Sequence, residues 1–208
     1  MSAGQRVAAL YVETGGVYAG CPDVEVWDEG RDARNYPGPW PVVAHPPCAR
    51  WCMLAPLVQS MHGYEIGDDG GTFAAALDAV TRWGGVLEHP AHSLAWSRFA
   101  LPAPARYGWA QSLEKPGWAT EVSQVAYGHP CRKRTWLYYV GPEPPALDWS
   151  EPEAVASVSD FGPGNARHRG LDWKLHSEGI QYAEASRTPE AFRDALLAMA
   201  RTAALTPA

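Results

Sequence analysis

The sequence contains no apolar run long enough to span a bilayer, which excludes a helical membrane protein. Its first residues, MSAGQRVAALYV, lack the basic flank, long apolar stretch and small-residue cleavage site of a secretory signal, so residence in the cytoplasm is expected. Cysteine is scarce. Cys21, Cys48, Cys52 and Cys131 are too few for the disulfide framework of a small secreted domain, and reduced thiols free to do chemistry are expected instead. Positive charge is not in excess either. A net charge of −6 excludes a protein that coats nucleic acid with a uniformly basic surface and leaves only local contacts, such as Arg132-Lys133-Arg134 or Arg167-His168-Arg169.

What is present is enough for one domain. A chain of 208 residues, 46% of them hydrophobic, can bury a substantial core, and a single unit over 1–208 is expected. Three short β-like runs, residues 7–12, 24–27 and 41–44, open the chain like the start of a parallel α/β sheet. The connections between them are short and rich in Gly and Pro, whereas a parallel crossover normally carries a helix. The front of the sheet therefore reads as trimmed. Phe73, Leu77 and Val80 recur at helical spacing in residues 71–83, which end at Gly84-Gly85 and lead into a strand over 85–88. Residues 91–120 read as an irregular excursion, 135–140 as a strand, 142–185 as irregular and polar, and Thr188-Pro189-Glu190 opens a closing helix.

Three segments carry candidate chemistry. In VVAHPPCARW, residues 42–51, an apolar strand ends at a double proline followed by Cys48. Ligands of parallel α/β sheets bind beyond the carboxyl ends of strands, so this thiol stands where a reactive group belongs, although a cysteine there is often only a small buried hydrophobe. In VLEHP, residues 86–90, Glu88 leaves an apolar strand at the same edge; the alternative is a carboxylate capping the next turn. In YGHPCRKRTWLYYVG, residues 127–141, basic residues lead into a strand and suit a phosphate or a polar substrate atom, or simply a solvated edge. His45, Cys48, Cys52 and His62 are soft enough to bind a metal, but their spacing matches no familiar metal motif and no metal is expected.

Taken in order, Pro47-Cys48, Glu88-His89-Pro90 and Arg132-Lys133-Arg134-Thr135 resemble the nucleophile, carboxylate and basic motifs of the cytosine carbon-5 DNA methyltransferases, most closely their short phage-encoded relatives. The helix-to-strand stretch GTFAAALDAVTRWGGVLEHP and the closing TPEAFRDALLAMA are similar as well. The resemblance implies an α/β, Rossmann-like methyltransferase-type parallel sheet, trimmed in its N-terminal cofactor half, with residues 142–185 as a reduced target-recognition insert. It implies a cytosine of DNA, or a pyrimidine nucleotide, as substrate. Cys48 would add to carbon-6 of the base, Glu88 would hold ring N3, and Arg132 or Arg134 would contact the ring; in a duplex the base must first be flipped out. S-adenosylmethionine would lie against Tyr11, Gly15, Gly16, Asp28, Asp32 and Pro46. In LYVETGGVYAG, however, Val12-Glu13 stand where the family's loop has a small glycine-containing pair. Two other readings therefore stay open: carbon-5 modification with a different donor, and an inactive DNA-binding or accessory protein.

Overall fold

The computed structural model describes residues 5–111, 113–154 and 187–203. A seven-stranded sheet has the order β2-β1-β3-β4-β7-β6-β5. Its strands are β1 (Val7–Leu10), β2 (Val24–Trp27), β3 (Val42–Ala44), β4 (Gly85–Pro90), β5 (Ala110–Gln111), β6 (Trp118–Ser123) and β7 (Arg134–Val140). β2, β1, β3 and β4 are mutually parallel, as the apolar runs suggested; β7 is antiparallel to both β4 and β6. The fold is thus α/β with a mixed sheet, and a wholly parallel sheet is corrected. The reason is connection length: the short link from β6 to β7 can join only antiparallel neighbours.

Helices cover both faces. On one face α2 (Thr72–Trp83) sets Phe73, Ala76, Leu77 and Val80 against Leu10, Val42, Leu87 and Tyr138, joined by Trp96 of α3 (Leu94–Arg98). On the other face α4 (Glu190–Thr202) sets Phe192, Leu196, Leu197 and Met199 against Val7, Ala9, Val43, Val86 and Tyr139. Period-2 alternation sorts the strand residues between these two layers. Because β1, β3 and β4 are sandwiched, their sequences read as continuous apolar runs rather than alternating ones.

The β1–β2 connection contains turns only, and the β2–β3 connection holds two single 3-10 turns, Glu29–Arg31 and Ala33–Asn35, in place of a helix. Neither connection carries an α-helix, as the short links suggested, and the C-terminal helix α4 covers one face of β1 and β3. Two expectations change. Residues 91–120 are not merely irregular, since α3, β5 and the start of β6 lie there, and α1 (Ala55–His62) follows the candidate cysteine. Residues 142–154 have neither helix nor strand, while residues 155–185 of the expected insert, with Arg167 and Arg169, lie outside the described residues. Among the described residues no helix is long and apolar enough to cross a membrane.

One close approach sets the geometry of the centre. Gly85 begins β4 at φ 120°, and a Cβ there would overlap the backbone carbonyl of Val42 on β3. Only glycine lets these two strands meet in this register, in which Val42 pairs with Gly85 and Ala44 with Leu87.

Candidate functional site

The chain leaves β1 for β2 on one side and returns to β3 on the other, so the carboxyl ends of β1 and β3 diverge into a crevice. A cavity of about 740 Å³ lies there, lined by Tyr11, Glu13, Thr14, Asp28, Asp32, Arg34, Pro47 and Thr72 among others. Glu29 adds a fourth carboxylate to Glu13, Asp28 and Asp32, against the single guanidinium of Arg34. Tyr11 and Asp32 adopt left-handed backbone, at φ 59° and 40°, a conformation non-glycine residues hold only where the surroundings enforce it. The Tyr11 hydroxyl is buried and has no hydrogen-bond partner among the described residues. Asp28 accepts from the Thr14 hydroxyl (2.7 Å) and the Gly30 N–H (3.2 Å). Asp32 accepts from Nε and Nη2 of Arg34 at 2.7 and 2.9 Å, which holds its carboxyl below the usual range. Of the residues expected to hold a cofactor, Tyr11, Asp28 and Asp32 line the cavity; Gly15, Gly16 and Pro46 are not among its lining residues, and Pro47 takes the place of Pro46.

Cys48 follows the end of β3, whereas Glu88 does not leave its strand as expected: β4 runs on to Pro90 because residues 88–90 pair with β7. Cys48 closes the loop after β3, and its carbonyl accepts from the N–H groups of Trp51 and Cys52, each at 2.9 Å. Its loop is anchored through Trp51, which donates Nε1–H to Asp69 (2.8 Å) and accepts at its carbonyl from the Leu94 N–H (2.8 Å). Asp69 also accepts from the Gly71 and Phe73 N–H groups and from the Thr72 hydroxyl, so one carboxylate fixes both the start of α2 and the cysteine loop. Burial pulls Asp69 up, but these donors outweigh it and hold the group ionised. Burial raises the Cys48 thiol above its ordinary value; Cys52 and Glu88 push it further and the Lys133 ammonium pulls it back. The thiol is therefore protonated at rest.

Glu88 is buried on β4. Its Oε2 accepts from Nδ1 of His45 at 2.9 Å, and its Oε1 faces Nε2 of Gln124 at 3.4 Å. Burial raises its pKa, yet the His45 hydrogen bond and the charges of His45, Lys133 and His89 lower it more, and the net direction is down. Behind His45 its Nε2 meets the Tyr18 hydroxyl at 2.8 Å, and Gln124 also donates to Thr135 at 2.9 Å. The carboxylate thus raises the thiol, and Lys133 lowers both groups.

The basic motif divides between the faces of the sheet. Glu88 pairs with Leu137, while Arg134 lies an odd number of residues away and points to the opposite face. There it makes a two-pronged contact with Oε1 of Glu121, 2.8 and 2.6 Å, and reaches Nε2 of His92 at 3.2 Å; Trp136 donates to the other Glu121 oxygen. The structure does not bring Arg134 to Cys48, and Arg132 is exposed before the strand. Lys133, between them, is the cation coupled to the thiol and the carboxylate, and its Nζ donates to the Arg187 carbonyl at 3.3 Å.

Sequence reasoning passed over Lys133, Tyr18 and Gln124, and weighed His45 only as a metal ligand. Strand alternation contained the signal for Lys133, because residues 133 and 135 share one face of β7 and 134 the other. His45 had the same kind of signal: two residues beyond Val43, it shares that residue's face. Among the described residues no group of three or more His, Cys, Asp or Glu is placed to hold a metal ion. Neither a scan of protein-family models nor a search of curated proteins returns a match to this chain.

Proposed function

We propose that the protein modifies carbon-5 of cytosine, in DNA or a nucleotide, through a covalent bond between Cys48 and carbon-6 of the base, on a Rossmann-like, methyltransferase-type sheet. The observation that carries this reading is the placement of Cys48, just after β3, and Glu88, on the adjacent parallel strand β4, where the carboxylate raises the thiol, beside a cavity at the switch point of the sheet. Carbon-5 is a weak nucleophile; thiolate addition at carbon-6 turns it into an enamine-like carbon, and a hydrogen bond or proton at ring N3 makes that addition easier.

The thiol, protonated at rest, must release its proton as the sulfur–carbon bond forms. The neighbouring ionised carboxylate is the acceptor at hand, and it can pass that proton to ring N3, so no charge is left behind. Lys133 stabilises the negative charge that builds on sulfur. Arg132 remains the exposed basic contact for phosphate or base.

The cavity fits a cationic ligand bearing hydroxyl groups: four carboxylates face one guanidinium, and the buried Tyr11 hydroxyl is unpartnered. S-adenosylmethionine has that chemistry, and Glu13, Asp28, Asp32 and Tyr11 would hold it; when bound it supplies a methyl group. Glu13, which lines this cavity where the family that the sequence resembles has a small residue, favours a second reading, carbon-5 modification with a different donor. Mass spectrometry of the protein with DNA containing 5-fluorocytosine, with and without S-adenosylmethionine, tests both. An adduct that needs Cys48 and the methyl donor supports methyl transfer; an adduct without it supports another donor; no adduct under any condition overturns the enzyme in favour of a binding protein.

A further inference from the structure

Glu88 is the end of a part-buried chain of hydrogen-bonded side chains. Tyr18, in the β1–β2 connection and buried, meets Nε2 of His45, whose Nδ1 meets Oε2 of Glu88; the distances are 2.8 and 2.9 Å. The directions of these bonds follow from the partners. A carboxylate only accepts, so Nδ1 bears hydrogen; in the neutral imidazole Nε2 then accepts from the tyrosine O–H. One carboxylate oxygen is thereby fully engaged, and the other, with only the long Gln124 contact, is left for a proton or a substrate donor.

We propose that His45 and Tyr18 are positioning residues that act through Glu88, His45 holding Oε2 and Tyr18 fixing the imidazole tautomer, so that Oε1 is the oxygen presented to the base. This rests on the cytosine reading above and deepens it. The groups that face the chain are Lys133 from the start of β7, His89 on β4 and Cys48 after β3, all coupled to Glu88, and Arg193 and Asp194 of α4 with Cys21, coupled to Tyr18. Burial and Glu88 keep the tyrosine protonated, as a donor to Nε2 must be. No proton needs to leave the imidazole. Its role is to keep the carboxylate ionised until the thiol proton arrives and to direct that proton to Oε1.

The experiment titrates the glutamate side-chain carboxyl carbons by NMR in the wild type, Tyr18→Phe, His45→Ala and His45→Gln, alongside the pH profile of adduct formation with DNA containing 5-fluorocytosine. His45→Ala is expected to raise the Glu88 midpoint by about one unit or more, with the acid limb of adduct formation moving by the same amount. Glutamine restores a donor and is expected to recover part of the shift. Tyr18→Phe, the milder change to packing, is expected to give a smaller shift in the same direction. An unmoved Glu88 midpoint in both Tyr18→Phe and His45→Ala, with the amide spectrum of the fold intact, overturns the proposal. So does a moved midpoint with an unmoved acid limb. Absence of any wild-type adduct overturns the cytosine reading, and with it the catalytic part of this inference, while a shifted midpoint would still assign His45 and Tyr18 to Glu88.

Discussion

Nδ1 of His45 lies 2.9 Å from Oε2 of Glu88, joining the residue just after β3 to the middle of β4. The contact links two neighbouring strand ends through side chains as well as backbone, and Cys48 sits three residues beyond it. Several measurable properties depend on this arrangement.

The first concerns the thiol. Burial, Cys52 and Glu88 raise it, so Cys48 should alkylate more slowly at pH 8 than an unperturbed cysteine, and its rate should keep climbing above pH 9. Lys133→Ala removes the cation that, after a backbone hydrogen bond, helps lower it. The expected result is a further slowing of about two- to threefold, read by peptide mass spectrometry after iodoacetamide labelling.

Acid should destabilise the fold through His89. This side chain is fully buried and packed edge-on to Phe73 at a centroid distance of 5.2 Å. Burial lowers it to about 4. A histidine neutral when folded but protonated when unfolded contributes no pH dependence above about 6.5, and stability falls as pH drops from there towards the folded value, by about 3 kcal/mol in all. Glu88, lowered in the fold, adds stability above the ordinary carboxylate value that is lost as pH falls through its folded value. Urea midpoints between pH 7 and 4 should fall steeply for the wild type and less so for His89→Phe.

Glu121 should matter to stability and not to the thiol. It is buried and accepts from Arg134 and Trp136 on the face away from Glu88. Glu121→Gln leaves a guanidinium without its carboxylate, at a cost of about 1–3 kcal/mol in chemical denaturation. Cys48 alkylation should be unchanged in the folded variant; a change would mean that the two faces are coupled.

Gly85 and Gly15 should respond differently to alanine. At Gly85 a methyl group collides with the Val42 carbonyl, and the fold is expected to lose more than about 3 kcal/mol or fail to form. At Gly15, with φ 72° and nothing within 4 Å of a Cβ, only the backbone conformation is penalised, by about 1–2 kcal/mol. Thermal melting of the two variants separates these cases.

The parallel strands and the long helices were legible because their residues repeat one environment. Phe73, Leu77 and Val80 face a single layer, and β1, β3 and β4 are apolar throughout because both sides are covered. β6 was hidden, since its buried Thr120, Glu121 and Ser123 are polar, the first two satisfied by partners far away in sequence, Trp149 and Arg134. Cys48 could be singled out from its place after a strand and Glu88 as a carboxylate in an apolar one, although its strand continues to Pro90. The partners of Glu88 could not, because Tyr18, His45 and Gln124 meet only once non-adjacent segments pair. The preference for Arg134 over Lys133 followed motif likeness and ignored the one-residue alternation that turns the arginine away.

The cover supplied by α4 has a consequence for the making of the protein. Its Phe192 and Leu196 pack on the layer that holds Val7 and Ala9, and Arg193 and Arg201 bond to the carbonyls of Val17 and Pro22, 176 and 179 residues earlier. A ribosome therefore releases the first strands long before the helix that shields them has been translated. Until then their apolar side has no native cover and is open to chaperones or to other nascent chains. A stop codon anywhere ahead of residue 190 should yield not a shortened working protein but a substrate for proteolysis.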